Sequence, residues 1–466
     1  MKFINREKEL ELLQYEYQKK DSSLVVIFGR RRTGKTTLIN QFIRGKRSLY
    51  FFADTQNEKG QIRRFQEQLS EVFDDELLKK VTIESWDTIF DYLSQKLNDK
   101  DRFVLAIDEF QSLTKSNKHF SSIFQRIFDT KLKDKNIMII LCGSLISMMY
   151  SETLAYSSPL YGRRTAQIKL KEIDFFHYHK FYKNLSNVEL IEYFSVTGGI
   201  PKYIELFNQS KNLYEAIRNE ILNKNKFLYL EPRFLLREEV TDVSTYFSIL
   251  TIIAAGNHKL SNITGRLGVK ASSITPFLKK LIDLDIIEKE IPITEMNPSK
   301  SKKGLYFIKD NFLRFWFRFV FPYQSYLEID DLAFVEKKIK EEFGYFVSNV
   351  FEIISRRMMF KLKFPFMIEK CGRWWDKNSE IDVVALGGND EIIFGECKWS
   401  KKHVGMSVLS ELQAKSKNVK WGSPKRKEYF ILFSKSGFSN DLTLYAKQNK
   451  ELFLIDVNQF NLENQK

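Results

Sequence analysis

A run of basic and small residues near the start of the chain, enclosed by two glycines, has the residue types that bind a polyphosphate. It comprises Gly29, Arg30, Arg31, Arg32, Thr33, Gly34, Lys35, Thr36 and Thr37. The glycines let the backbone close around phosphates, so that successive N–H groups and a helix N-terminus face the negative charge. In this arrangement Lys35 contacts the β- and γ-phosphates, and the Thr36 hydroxyl is a ligand of Mg²⁺. The run therefore predicts a nucleotide-binding site.

Two acidic residues, Asp108 and Glu109, follow an apolar segment farther along the chain. An aspartate at the end of such a strand orients Mg²⁺ or its waters, and the next glutamate can polarise an attacking water. Ser144 is placed either as a polar sensor beside the γ-phosphate or as a buried serine bonded to the backbone. Arg163 is either a γ-phosphate contact, in cis or in trans, or part of a basic surface loop.

A second set of chemically suited residues lies in the last third of the chain. Asp382 and Glu396 fall on a predicted hairpin, where two carboxylates and water can form a Mg²⁺ site. Lys398 lies two residues beyond Glu396, and therefore on the same strand face, where it could activate water or stabilise charge on a phosphate. The pattern resembles PD-(D/E)XK nucleases, with Glu352 matching the acid of the preceding helix and joining the metal ligands. Lys398 is alternatively only an ion-pair partner of Glu396, and the sequence is compatible with an active nuclease and with a nuclease fold that has lost activity.

The segments that position both sets alternate between strand and helix. Apolar runs predict strands at 23–28, 49–52, 103–110 and 136–141. This alternation predicts an α/β fold of the P-loop NTPase type, with a parallel sheet, helices on both faces and ligands at the carboxyl ends of the strands. Around the second set, a helix near 346–354, a hairpin from 380 to 399 and a helix over 408–417 predict a restriction-endonuclease-like α/β domain.

Several motifs together resemble the archaeal-type ATPases, a branch of the AAA+/STAND P-loop class found in archaea and bacteria. They are Asn5-Arg6-Glu7, the run at 29–36, Ile107-Asp108-Glu109, Leu141-Cys142-Gly143-Ser144, Tyr161-Gly162-Arg163 and Gly198-Gly199-Ile200-Pro201. The resemblance implies ATP binding and Mg²⁺-dependent hydrolysis through the first set of residues. The segment containing 351–352, 372–375 and 395–399 resembles the domain of unknown function that follows these ATPases.

Residues 243–308 have the pattern of a winged helix, with three helices and a basic hairpin. The third helix would enter a major groove with Ser272, Ser273 and Thr275 near its start. The lysines that could neutralise phosphates are Lys279, Lys300, Lys302 and Lys303. The module either contacts duplex DNA or serves as an interdomain scaffold. The aromatic helix that follows, 311–319, is predicted to be core.

Length, charge and cysteine content limit the remaining possibilities. The chain has 466 residues, a formal charge of +15 and three cysteines without metal-ligand spacing, which we expect to be reduced thiols. We expect an ATPase core, a helical lid, a winged helix and a nuclease-like domain at 1–168, 169–238, 239–310 and 311–466. The charged N-terminus and the lack of a long apolar stretch predict a cytoplasmic protein with no signal peptide and no spanning helix.

Two functions are compatible with this organisation. In the first, an ATPase controls a tail that binds duplex DNA and that carries the potential cleavage site. In the second, a STAND-like switch hydrolyses ATP slowly and acts through protein partners or as a homo-oligomer, with an inactive nuclease fold. The positive charge favours a polyanionic partner, and an ATPase acting at a membrane surface has no support beyond that charge.

Overall fold

The computed structural model describes residues 3–98, 100–388 and 390–460. Contacts between residues divide the chain into two compact units. The first unit consists of Met1–Ile173, Ile200–Lys202 and Arg237–Thr241, and the second consists of Asp174–Gly199, Tyr203–Leu236 and Asp242–Lys466. The four predicted domains are a finer division than this and stay a prediction.

The first unit is built on a parallel sheet of five strands, which confirms the predicted architecture. The strands are β1 (Ser23–Phe28), β2 (Ser48–Phe52), β3 (Phe103–Asp108), β4 (Ile137–Gly143) and β5 (Ala166–Lys169). Their order is β2-β3-β4-β1-β5, and every neighbouring pair is parallel. All residues of β1, β3 and β4 are buried, because helices cover both faces of the sheet.

The helices of the first unit pack on both faces of this sheet. They are α1 (Glu7–Tyr17), α2 (Lys35–Ile43), α3 (Glu58–Val72), α4 (Glu76–Lys80), α5 (Trp86–Lys96), α6 (Gln111–Ser116), α7 (Phe120–Ile127) and α8 (Ile146–Met149), with π-helical turns at Phe128–Leu132 and Tyr150–Leu154. Successive residues of β1 point to opposite faces of the sheet and so pack in two separate cores. Leu24 packs in the core that contains Phe65, and Val25 packs in the core that contains Leu38. The loop between β1 and α2 is therefore anchored in a buried element at each end.

The second unit begins with helices and continues into three helices and a small sheet. The helices are α9 (Phe175–Tyr178), α10 (Asn187–Thr197), α11 (Pro201–Phe207), α12 (Leu213–Ala216), α13 (Phe227–Glu239), α14 (Val243–Ala254), α15 (Leu260–Leu267) and α16 (Ala271–Asp283), with a 3-10 turn at His179–Phe181 and a π turn at Ile217–Leu222. The first two residues of α11 and the last three of α13 belong to the first unit. Two antiparallel strands follow, β6 (Ile287–Glu290) and β7 (Leu305–Ile308), with a 3-10 turn at Pro298–Lys300 between them.

The rest of the second unit contains five further helices. They are α17 (Asn311–Phe319), α18 (Gln324–Glu328), α19 (Leu332–Met358), α20 (Met406–Ser416) and α21 (Asn440–Gln448), with 3-10 turns at Phe321–Tyr323 and Val457–Gln459. The aromatic side chains of α17 are buried, among them Phe312, Phe315 and Trp316, so the prediction that this helix is core is confirmed. No helix in the described parts of the chain is both long and apolar enough to cross a lipid bilayer.

A mixed five-stranded sheet closes the second unit. Its strands are β8 (Ile368–Trp375), β9 (Glu380–Gly387), β10 (Glu391–Lys398), β11 (Lys427–Ser434) and β12 (Leu452–Asp456), in the order β12-β11-β10-β9-β8. β8, β9 and β10 are antiparallel neighbours, whereas β10, β11 and β12 run parallel. The predicted hairpin is β9–β10. Asn389 of its predicted turn lies outside the described residues.

The three cysteines form no disulfide among the described residues. Cys142 and Cys397 are buried, and Cys371 is half-buried. Burial raises the pKa of all three thiols above the ordinary value, so each stays protonated at neutral pH. They are therefore weak nucleophiles.

Candidate functional site

The loop between β1 and α2 has a backbone that depends on glycine at its first position. Gly29 has a φ of 149°, and a Cβ there would collide with the carbonyl oxygen of Leu170. Gly34 has a φ of 92° and begins α2 as its N-cap. The chain therefore turns tightly out of β1 and presents the N-terminus of a nine-residue helix, which is an arrangement that binds anions.

Lys35 lies along this loop and is nearly covered by it. Its Nζ donates to the carbonyl oxygens of Gly29 and Arg30 at 2.9 and 2.8 Å. Burial lowers the pKa of the Lys35 ammonium, and the nearby Glu109 and Asp108 carboxylates offset only part of this effect. An incoming phosphate would supply the missing negative charge.

Arg6 holds the other side of the loop from the N-terminal segment. Its guanidinium is 5% exposed and donates to the carbonyl oxygens of Thr33 and Lys171, at 3.0 and 2.7 Å. The sequence placed Arg6 in a family motif but gave it no role. The structure shows that it braces the loop against the residues after β5.

Asp108, at the end of β3, collects hydrogen bonds from two hydroxyls. Thr36 Oγ1 and Tyr50 Oη both donate to Asp108 Oδ2 at 2.7 Å, while Glu109 N donates to Oδ1 at 2.9 Å. Burial and the bonded carboxylate raise the pKa of Tyr50 well above its ordinary value, so the phenol remains a donor. The paired hydroxyl and carboxylate oxygens of Thr36 and Asp108 suit a divalent cation. Tyr50 was not predicted as part of the site, because it comes from a different strand, β2.

Glu109 is held in an unusual backbone conformation beside Ser144. Its φ is 54°, in the left-handed region, and its Oε2 accepts a hydrogen bond from Ser144 Oγ at 2.9 Å. Gln111 Nε2 donates to the same oxygen. A Cβ at position 143 would collide with Gln111 and Met149, so Gly143 makes room for this contact. The strained conformation of a glutamate at this position is typical of a functional site.

The remaining residues of the loop differ in their surroundings. Arg30 is buried, whereas Thr37 is exposed. Arg31 Nη1 donates to Glu238 Oε1 at 2.6 Å. The next residue, Glu239, accepts hydrogen bonds from Ile146 N and from Ser147 at the start of α8. These two glutamates connect the end of α13 to both sides of the candidate site, and no sequence motif indicated them.

Arg163 lies at the end of the sheet where the parallel strands begin, whereas the loop lies at the end where they finish. Thr165 N donates to Leu24 O at the beginning of β1, whereas the loop follows Phe28 at its end. Four residues of strand, about 13 Å, separate these positions. The Arg163 guanidinium instead pairs with Asp129 at 3.0 Å. The predicted γ-phosphate contact in cis is therefore not made, and a contact in trans stays a prediction.

Asp382 and Glu396 face each other on the β9–β10 hairpin. Gly395 of β10 pairs with Val383 of β9 in the antiparallel register. The residue after Gly395, Glu396, therefore lies opposite the residue before Val383, Asp382. Both side chains are buried, and Asp382 Oδ2 accepts a hydrogen bond from Cys397 N at 3.0 Å. Burial, and then the neighbouring Glu396 carboxylate, raise the pKa of Asp382 to about 6.

Two lysines approach the Glu396 carboxylate. Lys398 Nζ is 2.9 Å from Oε1, and Lys415 Nζ, from α20, is 3.2 Å from Oε2. The pair Asp382 and Glu396 could hold a cation, with Lys398 beside it. Lys415 was not predicted, because helix α20 meets β10 only in the folded chain.

The predicted metal ligand Glu352 does not join the other two carboxylates. Its Oε2 lies 3.9 Å from Arg356 and 3.8 Å from Arg373. The described residues contain no group of three or more His, Cys, Asp or Glu side chains placed to hold a metal ion. The three acids are therefore not arranged as a ready-made ligand set. Burial, and then the charge of Asp382, raise the pKa of Glu352 to about 8. Its role as a metal ligand stays a prediction.

The predicted DNA-contacting residues lie on α16 and in the β6–β7 connection. Those that are exposed are Ser272, Ser273, Thr275, Lys279, Lys300, Lys302 and Lys303. Thr275 Oγ1 donates to Ala271 O within its own helix, and Lys303 pairs with Glu295 at 2.5 Å. The other side chains of this set are accessible to a ligand.

Comparison with known proteins finds similarity in both parts of the chain. A family described as an ATPase domain predominantly from Archaea matches residues 3–207. A family of archaeal and bacterial proteins of unknown function matches residues 316–416. An uncharacterised protein of Methanocaldococcus jannaschii, MJECL04, is 35% identical over 466 residues, covering 98% of this chain and 100% of the relative. MJ0423 of the same organism, described as an uncharacterised ATP-binding protein, is 42% identical over 45 residues, 10% of this chain and 76% of the relative.

A solved structure shares the fold of much of the chain. The Walker-type ATPase paby2304 of Pyrococcus abyssi is 22% identical and superposes with a TM-score of 0.51. The match covers 68% of this chain and 96% of that one. The parallel α/β architecture of the first unit is thus that of a P-loop ATPase.

Proposed function

The chain belongs to the family of ATPases found predominantly in Archaea, and from that premise we propose that it binds ATP with Mg²⁺ at residues 29–37 and hydrolyses the nucleotide. The observation that carries this proposal is the convergence of Lys35, Thr36, Asp108 and Glu109 at one edge of the parallel sheet. The carboxyl ends of the strands and the N-terminus of α2 meet there, as they do in nucleotide-binding sites of α/β proteins. The relative MJ0423, described as ATP-binding, agrees with this assignment.

Each residue has a role that follows from its position. The amides of the loop and the Lys35 ammonium bind the phosphates, and Lys35 exchanges its bonds to Gly29 O and Arg30 O for bonds to phosphate oxygens. Bound Mg²⁺ would neutralise phosphate charge, held by Thr36 and Asp108. Glu109 orients a water and takes its proton, while the Ser144 hydroxyl fixes the carboxylate.

ATP binding and turnover by the purified full chain test this proposal. We expect Lys35→Ala to lose measurable ATP affinity, and Glu109→Gln to keep ATP affinity while kcat falls by about 10² or more. Asn40→Ala, at an exposed position of α2 outside the loop, serves as the matched control and should retain both. ATP affinity that is the same in wild type and Lys35→Ala would overturn the proposal.

A second candidate activity, Mg²⁺-dependent cleavage of DNA, is favoured by the two opposed carboxylates of Asp382 and Glu396 with Lys398 beside them. The two carboxylates would hold the metal, and Lys398 would stabilise the negative charge that develops on a phosphate. The test is nicking of plasmid DNA with Mg²⁺, with and without ATP. We expect Lys398→Ala to abolish nicking and the exposed neighbour Lys402→Ala to retain it. Equal nicking by wild type and Lys398→Ala would remove this activity from the proposal.

The polyanion that we propose as partner is duplex DNA, bound by residues 243–308 as a winged helix. The exposed serines and lysines of α16 and of the β6–β7 connection support this role. We expect a complex with duplex DNA that weakens with salt, and a smaller salt dependence in the double variant Lys300→Ala/Lys302→Ala. ATP-driven oligomerisation without DNA affinity would instead favour a STAND-like switch that acts through protein partners.

A further inference from the structure

Lys415 of α20 contacts both oxygens of the Glu396 carboxylate. Its Nζ lies 3.3 Å from Oε1 and 3.2 Å from Oε2, while Lys398 Nζ donates to Oε1 at 2.9 Å. Both lysines therefore use lone pairs of the one carboxylate that could bind a cation opposite Asp382. A divalent cation would need the same oxygens and would repel both ammonium groups. Cation binding to Glu396 is thus in competition with the two lysines.

Of the two lysines, Lys415 is the one held more weakly. Both of its contacts with Glu396 are longer than the contact of Lys398, and charge-assisted hydrogen bonds weaken with length. The Lys415 side chain is unbranched and 29% exposed, so its ammonium can leave the carboxylate without disturbing the core. Glu411 lies one turn earlier on α20, but it forms no ion pair with either lysine in the described part of the chain.

Helix α20 keeps Lys415 beside the hairpin. Leu412 of this helix is buried in the same core as Ile392 and Phe394 of β10. When the ammonium leaves Glu396, the backbone that carries it therefore stays next to the carboxylates. An ammonium released at this position is available to pair with another anion.

The carboxylates of the hairpin supply part of the ligand set of a divalent cation. Asp382 Oδ2 accepts a hydrogen bond from Cys397 N at 3.0 Å, whereas Oδ1 accepts none from a described residue. Glu396 lies opposite in the strand register, so oxygen ligands from two strands face one another. Two carboxylates fill only part of the ligand shell of such a cation, and waters and an oxygen of the substrate must fill the rest. In a site for DNA, that oxygen belongs to a phosphodiester.

We infer that Lys415 couples the binding of a divalent cation to the binding of a DNA phosphodiester at this hairpin. Its ammonium leaves Glu396 when the cation binds and then pairs with a phosphate oxygen. The cation alone binds weakly because it competes with Lys415, and the phosphodiester alone binds weakly because Lys415 is paired with Glu396. Together they bind tightly, since each removes the obstacle to the other. This inference rests on the second candidate activity, and it concerns binding rather than cleavage.

Calorimetric titration of the full chain with Ca²⁺, in the presence and absence of a short DNA duplex, tests the coupling. Ca²⁺ is the probe because it prefers carboxylate oxygens and because heat of binding is read without any cleavage. We expect saturating duplex to tighten Ca²⁺ binding to the wild type by about tenfold or more, and Ca²⁺ to tighten duplex binding by the same factor. Asp382→Asn should lose this enhanced Ca²⁺ binding, which distinguishes it from Ca²⁺ held by the loop at 29–37 or by the DNA itself.

Lys415→Gln removes the charge and should move two affinities in opposite directions. Without DNA, the variant should bind Ca²⁺ at least about threefold more tightly than the wild type, because the competing cation is gone. With Ca²⁺ present, its affinity for duplex should fall by about tenfold, because the phosphate contact is gone. A variant that merely folded poorly would lose both affinities. Lys417→Gln, at an exposed lysine just beyond α20 that has no ion pair in the described chain, is the matched control and should keep the full gain.

Ca²⁺ affinity that is unchanged or weaker in Lys415→Gln would overturn the inference, as would an undiminished effect of duplex on Ca²⁺ binding in that variant. Lack of Ca²⁺ binding in all of these proteins, with and without duplex, would overturn it as well. Nicking of plasmid DNA with Mg²⁺ is measured separately. Coupled binding without nicking would support the inference and remove the cleavage activity, whereas nicking without coupled binding would do the reverse.

Discussion

The Arg31 guanidinium, in the middle of the candidate phosphate loop, donates to the carboxylate of Glu238 at the end of α13. The two side chains are 37% and 36% exposed. An ion pair with this exposure contributes well under about 1 kcal/mol to stability. Its greater effect is on the electric field at the loop, because a carboxylate next to Arg31 offsets a positive charge that would otherwise face the phosphates.

We therefore expect Glu238→Gln to tighten ATP binding by about twofold to fivefold, since the change removes a competing negative charge. The measurement is the Kd of ATP by calorimetry at low and high salt, and the gain should shrink as salt screens the charges. Glu84→Gln, which breaks the exposed Lys59–Glu84 pair in the same unit, is the control. Weaker binding by Glu238→Gln, or an equal gain in Glu84→Gln, would contradict this explanation.

Tyr50 shares the Asp108 oxygen that Thr36 also contacts. Tyr50→Phe removes one donor while keeping the ring, so the carboxylate loses part of its orientation. We expect the Mg²⁺ concentration for half-maximal ATP hydrolysis to rise by about threefold to tenfold, the effect of one hydrogen bond. Tyr17→Phe is a suitable comparison, since its hydroxyl donates to Arg102 O at 3.5 Å and lies outside the candidate site. An unchanged Mg²⁺ dependence in Tyr50→Phe would show that Asp108 needs no such support.

The bond from Ser144 Oγ to Glu109 Oε2 predicts an effect on turnover and not on binding. Ser144→Ala should lower kcat by about threefold to thirtyfold and leave the Kd of ATP within about twofold, because the hydroxyl positions the carboxylate that orients water. Steady-state kinetics and equilibrium binding separate the two quantities. Ser147→Ala is the control, since the hydroxyl of this nearby serine in α8 donates to Glu239 instead. A loss confined to ATP affinity would assign Ser144 to phosphate binding.

Asp382 predicts a pH-dependent change in stability. Its pKa is about 6 in the folded protein, above the ordinary value of 3.8, so the folded state binds its proton more tightly than the unfolded state does. Stability contributed by this proton is complete below about pH 4 and is lost as the pH rises through about 6. Asp382→Asn should therefore stabilise the protein by roughly 1 to 3 kcal/mol at pH 8 and by little at pH 4.

Thermal or urea unfolding at the two pH values measures this difference. Millimolar Mg²⁺ should raise the Tm of the wild type at pH 8 and leave Asp382→Asn unchanged, because a cation between two carboxylates relieves their repulsion. Asp376→Asn, on the exposed turn before β9, is the control for the loss of one charge. A stabilisation that is equal at both pH values would show that charge at position 382 is not its cause.

The elements that carry the sites were predictable from sequence, because they depend on local patterns. Continuous apolar runs indicated the buried parallel strands, and the flanking glycines indicated the loop at 29–37. The β9–β10 hairpin followed from two apolar segments joined by a glycine-containing turn. In each case the determining information lies within a few neighbouring residues.

The contacts that complete each site were not predictable, since they join segments far apart in the chain. Tyr50 reaches Asp108 across 58 positions, and Glu238 reaches Arg31 across 207. The sequence left open whether Arg163 meets a phosphate in cis, in trans or lies in a basic surface loop, because a motif beside a strand does not say which edge of the sheet it occupies. The approach of Arg356 and Arg373 to Glu352 was likewise not predictable, since the three residues come together only in the folded chain.

The eight-residue length of β9 and of β10 separates the two ends of the hairpin. Asp382 begins the hairpin and Glu396 nearly ends it, so both carboxylates lie at one edge of the sheet. The connection after Gly387 lies at the other edge, about 16 Å away along the strand. A substitution at Gly387 or Glu391, the ends of β9 and β10 there, would therefore leave the spacing of the two acids unchanged.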